Sequence, residues 1–227
     1  MCCFFHDLWR NVHYTQNNDI EVDVNTHPYV KLAIQAVKHF LLEGAPLPCP
    51  SPVPCEMKHQ SGAFISIKKK EGGQLRGCVG TVTPSQDNLA KEIIRNAVRA
   101  ATDRRFKAVT KEELNQLLFS VDILSPLEAI DSPEQLNPKK YGLSIKHKNQ
   151  HGVILPNLQR IDTVQRQIEL CLKKGNIPKD APYQMYRFEV ERHRSKDRHA
   201  KGRKKTKNPT KLNKQKVGVL KKHKPNK

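Results

Sequence analysis

Two tight turns constrain this chain more than anything else in it. Glu71-Gly72-Gly73 separates strand-like runs at Gly62 to Lys68 and Gln74 to Val82, and Lys148-Asn149-Gln150 separates Tyr141 to His147 from Gly152 to Leu155. Connections this short join antiparallel neighbours, because parallel strands need a crossover of about a dozen residues or more. A doubly wound parallel sheet is therefore excluded. The expected class is α+β, a mostly antiparallel sheet with flanking helices.

Helical signals fill the intervals. Asn25 or Thr26 is placed to cap a helix with Pro28 in its first turn, apolar residues Val30, Ala33, Ile34, Val37, Phe40 and Leu41, and Gly44 at its end. Five prolines at alternate positions from Pro46 to Pro54 then demand an extended connector. A rigid link is the simpler reading of that segment, a ligand for a proline-reading module the sharper one. Leu89, Ile93, Ala97, Ala100 and Ala101 mark a second helix, and Thr110 with Glu113 forms a capping-box pattern for a short one reaching Gln116. Phe119, Val121 and Ile123 alternate with Ser120 and Asp122 as a half-buried strand, with Asp122 on the solvent side. Asp162 is placed to cap a helix carrying Val164, Ile168, Cys171 and Leu172, closed by Gly175. Tyr183 to Val190 supplies a last strand, expected to close onto the earlier sheet.

Charge divides the 227 residues unevenly. Arg194 to Lys227 holds 15 Lys and Arg against the single acid Asp197, a net +14 out of +19 for the whole chain. This predicts one ordered domain over 25–193, a leader of uncertain order over 1–24, and a disordered basic tail over 194–227. A tail of that kind neutralises phosphates and binds RNA or DNA without reading sequence. The six cysteines, Cys2, Cys3, Cys49, Cys55, Cys78 and Cys171, lack zinc-knuckle spacing, and no histidine pair has metalloprotease spacing, so no metal site is expected. His147 and His151 flank a turn and are placed to meet across it. No secretory or membrane-spanning run is legible, which favours a reducing, cytoplasmic setting, or a nuclear one in a eukaryote.

The chemistry concentrates in Leu75-Arg76-Gly77-Cys78-Val79-Gly80. Glycine weakens a strand, so two of them bracketing a thiol imply that something approaches the backbone closely. Strict alternation puts Arg76 and Cys78 on one face, roughly 7 Å apart. A guanidinium at that distance favours the thiolate. The bland reading is a small buried residue beside a structural salt bridge, for example Arg76 with Asp103. A bulge at Gly77 would turn the two side chains apart. Thr81 to Ser85, with hydroxyls ahead of a helix N-terminus, reads as a seat for an anion.

These residues resemble a known family. Leu75 to Thr81 is similar to the signature of the AMMECR domain, named for an Alport–midface hypoplasia–elliptocytosis chromosomal region and including the AmmeMemoRadiSam system protein A group. Ala100-Ala101 followed by Asp103, Arg105 and Phe106, the run Phe119 to Pro126, and Gly152 to Pro156 resemble further family motifs in the same order. The resemblance covers about His27 to Arg192. It departs at Lys107-Ala108, Asn157-Leu158 and Lys174-Gly175-Asn176. It implies two intertwined lobes with a cleft and, as partners, Memo-type and radical-SAM proteins, but no settled reaction and no named cofactor. The expected site is Cys78 as nucleophile or redox thiol and Arg76 as orienting cation. Gly77, Gly80, Thr81, Asp103 and Arg105 surround them, the last two holding the neighbouring helix end. The rivals are a nucleic-acid- or ribosome-associated protein acting through its tail, and a non-catalytic adaptor.

Overall fold

A computed structural model describes residues 25–196. The 1–24 leader and nearly all of the 194–227 tail lie outside the described residues. The described chain is α+β, with three α-helices and two four-stranded sheets whose neighbours all pair antiparallel.

The first lobe starts with α1 (Pro28–Glu43). Its N-cap is His27 rather than Asn25 or Thr26, the Nδ1 atom accepting the Tyr29 N–H at 3.4 Å. Pro28 explains the shift: a proline at the first helical position makes the preceding residue the cap. Gly44 ends the helix at φ +70°, its N–H donating to the Phe40 carbonyl. The proline-rich connector packs Leu47, Cys49 and Val53 against the first core, as a rigid link would. Strands β1 (Ala63–Lys69) and β2 (Leu75–Thr81) form the first hairpin, followed by α2 (Leu89–Ala101) and β3 (Leu117–Leu124). Of the short helix before β3 only the single turn Leu114–Gln116 forms. The Glu113 carboxylate does reach back to the Thr110 N–H at 3.1 Å, so half of the capping pattern is present.

The second lobe holds β4 (Glu128–Ile130), β5 (Gly142–His147), β6 (Gln150–Ile154), α3 (Val164–Gly175) and β7 (Gln184–Phe188). Thr163, not Asp162, caps α3, and Asn176 in the left-handed region closes it. Asp162 instead pairs with Lys139. Gly175 stays inside the helix because it packs on the Gly152 backbone, where an added Cβ would lie 2.7 Å from the Gly152 nitrogen. At three residues, β4 is too short to show alternation in the sequence.

The expected last strand is two strands in two sheets. Past Glu189 the chain continues from β7 into β8 (Val190–Arg194), which pairs with β3. The sheet orders are β2-β1-β3-β8 and β4-β7-β5-β6. The second lobe is thus inserted between β3 and β8, and the two crossings are tied together. The Ser125 N–H donates to the Glu189 carbonyl at 3.0 Å, and the Glu189 N–H to Ser125 Oγ at 2.9 Å.

Each lobe has its own core. Ala63, Ile65, Ile67, Phe119, Val121 and Ile123 point to one side of the first sheet and pack with α1 and α2. Leu143, Ile145 and Ile154 pack with Ile168, Cys171 and Leu172 of α3. Each such aliphatic side chain contributes about 1.5–3 kcal/mol when fully buried. The side of the first sheet opposite α1 and α2 is left for other work.

Candidate functional site

Strand β2 is an edge of the first sheet, and a bulge decides what its side chains reach. The register runs Ile67 to Gly77 and then Lys68 to Leu75, so Arg76 is the extra residue. A bulge interrupts strict alternation, and the Arg76 guanidinium is carried to the loop after α2. There Nε and Nη2 grip the Glu113 carboxylate at 3.0 and 2.8 Å, Nη2 also donates to the Ala108 carbonyl at 3.0 Å, and Nη1 donates to the Lys107 carbonyl. The Arg76 fork holds Glu113 below the usual carboxylate range, against the opposing effect of burial. The expected pairing of Arg76 with Cys78 is therefore not formed. Its carboxylate partner is Glu113, not Asp103.

Asp103 and Arg105 serve the backbone of Cys78 instead. The Cys78 N–H donates to Asp103 Oδ2 at 3.0 Å, and Arg105 Nη2 donates to the Cys78 carbonyl at 2.7 Å. Asp103 is buried and paired with Arg105 at 2.6 Å. Hydrogen bonds from the Arg105 side chain, then from the Cys78 and Arg105 backbones, overcome burial and hold its carboxyl at about 2. An edge strand exposes unpaired backbone groups that invite another chain. At Cys78 two loop side chains satisfy them.

With its backbone turned outward, Cys78 faces Ser66 as a non-hydrogen-bonded pair, the type that brings side chains closest. The Ser66 hydroxyl donates to Cys78 Sγ at 3.2 Å. The register continues this row from Ser66 to Ser120 on β3 and from Ser120 to Arg194 on β8. A thiol, two hydroxyl positions and a guanidinium position thus line one row across four strands, about 14 Å end to end. The next row runs Gly80, Phe64, Asp122 and Arg192. Asp122, expected on the solvent side, is 2% exposed and gripped by Arg192 through two 2.7 Å bonds. Burial on the side away from the helices became visible only once Arg192 arrived from β8.

The glycines of the signature serve internal packing. A Cβ at Gly77 would lie 2.0 Å from the Ala100 carbonyl oxygen, so α2 rests its backbone directly on β2. A Cβ at Gly80 would lie 2.2 Å from the Phe64 ring, which covers that position from β1. The close approach inferred from the sequence is real, and the approaching groups belong to this chain.

The anion seat at Thr81 to Ser85 is likewise filled from within. Fully buried Glu92 accepts from Thr81 Oγ1 at 2.6 Å, Ser85 N at 2.7 Å, Gln86 N at 2.9 Å and Asn96 Nδ2 at 3.1 Å. Burial alone would raise its pKa, but the bonds from Thr81, Ser85 and Gln86 outweigh it and lower the carboxyl. His147 and His151 do not meet: Lys146 is opposite His151, and the His151 ring contacts Ser144 Oγ at 2.7 Å. Cys171 is fully buried in the second core, which pushes its thiol up to about 12. Among the described residues no cluster of three or more His, Cys, Asp or Glu is placed to hold a metal ion, and no helix is long and apolar enough to cross a membrane.

Sequence reasoning missed Ser66, Glu92, Glu113, Ser120 and Arg192 as partners. A signal existed for Glu92, a carboxylate among the apolar residues of α2, and for Ser66, which alternates with Ile65 and Ile67. None existed for Arg192, because β8 finds β3 only in three dimensions.

Comparison with known proteins matches this architecture to one family. The AMMECR1 family model matches residues 30–193. A protein of Thermotoga maritima is 40% identical over 174 residues, 75% of this chain and 99% of that protein. A Clostridium acetobutylicum protein is 43% identical over 170 residues, and this chain spans only 36% of its length. The crystal structure of uncharacterized protein PH0010 from Pyrococcus horikoshii superposes with TM-score 0.66 at 26% identity, over 72% of this chain and 88% of that one. With its signature strand, its inserted second lobe and these relatives, the chain belongs to the AMMECR1 family.

Proposed function

We propose that the outer face of the first sheet binds a small anionic, carbonyl-bearing ligand and that Cys78 adds to its carbonyl carbon. The observation that carries this reading is the contact of the Ser66 hydroxyl with a half-buried thiol, in a row that continues through Ser120 to Arg194. Arg76 is engaged by Glu113 and Arg192 by Asp122, so the orienting charge passes to exposed Arg194 at the far end of the Cys78 row. The step is reversible: a carbon–sulfur bond forms, the carbonyl π pair moves to oxygen, and the thiol proton follows through the Ser66 hydroxyl. Asp103 and Arg105 hold the strand that presents the thiol. The reaction setting is the Memo-type and radical-SAM pathway implied by the signature. The extra length of the Clostridium relative fits a domain that works beside others.

Peptide-resolved iodoacetamide labelling tests the reading. Small 2-oxo carboxylic acids should slow labelling of Cys78 and leave Cys55 unaffected, and Ser66→Ala and Arg194→Gln should both weaken that protection. Labelling of Cys78 that no such acid or aldehyde slows would remove the catalytic reading and leave a scaffold.

A further inference from the structure

Apart from that face, one helix of the first lobe and the loop after it present a run of exposed basic side chains. The segment Leu89 to Lys111 holds seven Lys and Arg against two acids, Glu92 and Asp103, so it carries +5. Both acids are buried and engaged, Glu92 by its hydrogen-bond donors and Asp103 by Cys78 and Arg105. On α2, Arg95 and Arg99 are exposed and four residues apart, which puts them on one side of the helix about 6 Å apart along its axis. After Thr102 the loop turns back, the Val109 N–H donating to the Ala101 carbonyl at 2.9 Å. That return keeps exposed Arg104 and Lys107 beside the end of the same helix. Among the described residues, Arg95, Arg99, Arg104 and Lys107 have no carboxylate partner.

Cations at a helix C-terminus offset its dipole. That accounts for Arg99 and Arg104; Arg95, halfway along the helix, donates to Ser85 Oγ without meeting a carboxylate, and the loop adds Lys107. We propose that the exposed side of α2 and the loop after it form a docking surface for the phosphate backbone of double-stranded nucleic acid. Point charges spaced along a helix suit a duplex backbone. No aromatic ring on the stripe is free to stack on a base, since Phe106 lies under the Arg105 guanidinium at 5.5 Å. A protein partner would need an apolar centre, and among the described residues the exposed large apolar ones, Leu42 and Leu75, lie outside α2 and this loop.

The test uses the full chain and a labelled duplex of about 20 base pairs, with anisotropy followed from 50 to 200 mM salt. Each phosphate contact contributes about 0.9 to the slope of log K against log salt, so Arg95→Gln/Arg99→Gln/Arg104→Gln should flatten the slope by about 2–3. Lys148→Gln/Lys173→Gln/Lys179→Gln, which removes three exposed charges from the second lobe, should leave it unchanged, and both variants should melt like the wild type. An unaltered slope in the arginine variant assigns all binding to residues 194–227 and overturns the proposal. Equal flattening by the lysine variant overturns it as diffuse charge. Equally tight, arginine-dependent binding of a polyglutamate peptide reassigns the surface to an acidic protein.

Discussion

The carboxylate of Asp103 accepts the backbone N–H of Cys78 at 3.0 Å, so a residue just past α2 closes the outer edge of β2. The same carboxylate holds Arg105, which returns to the Cys78 carbonyl at 2.7 Å. The thiol that gives the signature its interest therefore sits on backbone clamped from both sides.

Acid should loosen this clamp. The folded Asp103 carboxyl is held at about 2, below its unfolded value of about 3.9, so between these values the unfolded chain binds more protons. Its contribution is complete above the unfolded value and is lost as pH falls toward the folded one. Chemical denaturation of wild type should show stability dropping through that window, and Asp103→Asn should drop less steeply there. At neutral pH, Asp103→Ala should cost about 1–3 kcal/mol, since it leaves the Cys78 N–H unpartnered.

Substitution of the two signature glycines should separate backbone from side-chain obstruction. Gly77→Ala drives a methyl into the Ala100 carbonyl and should cost about 3 kcal/mol or more, with no side-chain truncation restoring it. Gly80→Ala meets the Phe64 ring instead. Its cost should shrink in a Phe64→Leu background, and a double-mutant cycle by urea melts reads the coupling. Additive costs would refute the ring contact.

The bulge at Arg76 makes a prediction about reactivity. Arg76→Lys breaks the two-pronged grip on Glu113 and should destabilise the protein by about 2–4 kcal/mol. It should leave the iodoacetamide rate of Cys78 unchanged under native conditions. A slowed Cys78 would mean that Arg76 acts on the thiol after all. Cys171 is the internal control: fully buried, with its thiol near 12, it should label only after unfolding.

Histidine stacking ties α1 to β8. The rings of His27 and His193 lie 3.6 Å apart at 24°, with Tyr29 against both and Glu56 and Glu191 nearby. Burial and then His193 lower the pKa of His27, outweighing Glu191 and Glu56. The neutral ring is favoured in the fold, so stability is complete above the unfolded value of about 6.5 and declines as pH falls below it. His151, lowered by burial and by Lys146, adds the same sign. His27→Asn keeps a capping side chain and should reduce the loss between pH 7 and 5 in thermal melts; an unchanged slope would place the effect elsewhere.

Local rules settled much of this protein. The glycine turn at 71–73 and the short turn at 148–150 dictated antiparallel hairpins, Pro28 and Gly44 bounded α1, and the Leu75–Thr81 signature identified the family; each depends on residues adjacent in the chain. What needed the folded molecule was every relation between distant segments. A one-residue bulge sent Arg76 to Glu113, because alternation is counted from the sequence whereas bulges are set by pairing. The break at Glu189 gave one expected strand to two sheets, and so delivered Arg192 to Asp122. Glu92 took the anion seat because α2 packs where only its own carboxylate can reach those donors. Side-chain partners separated by tens of residues leave no periodic trace, and the chemistry of the Cys78 face is made of such partners.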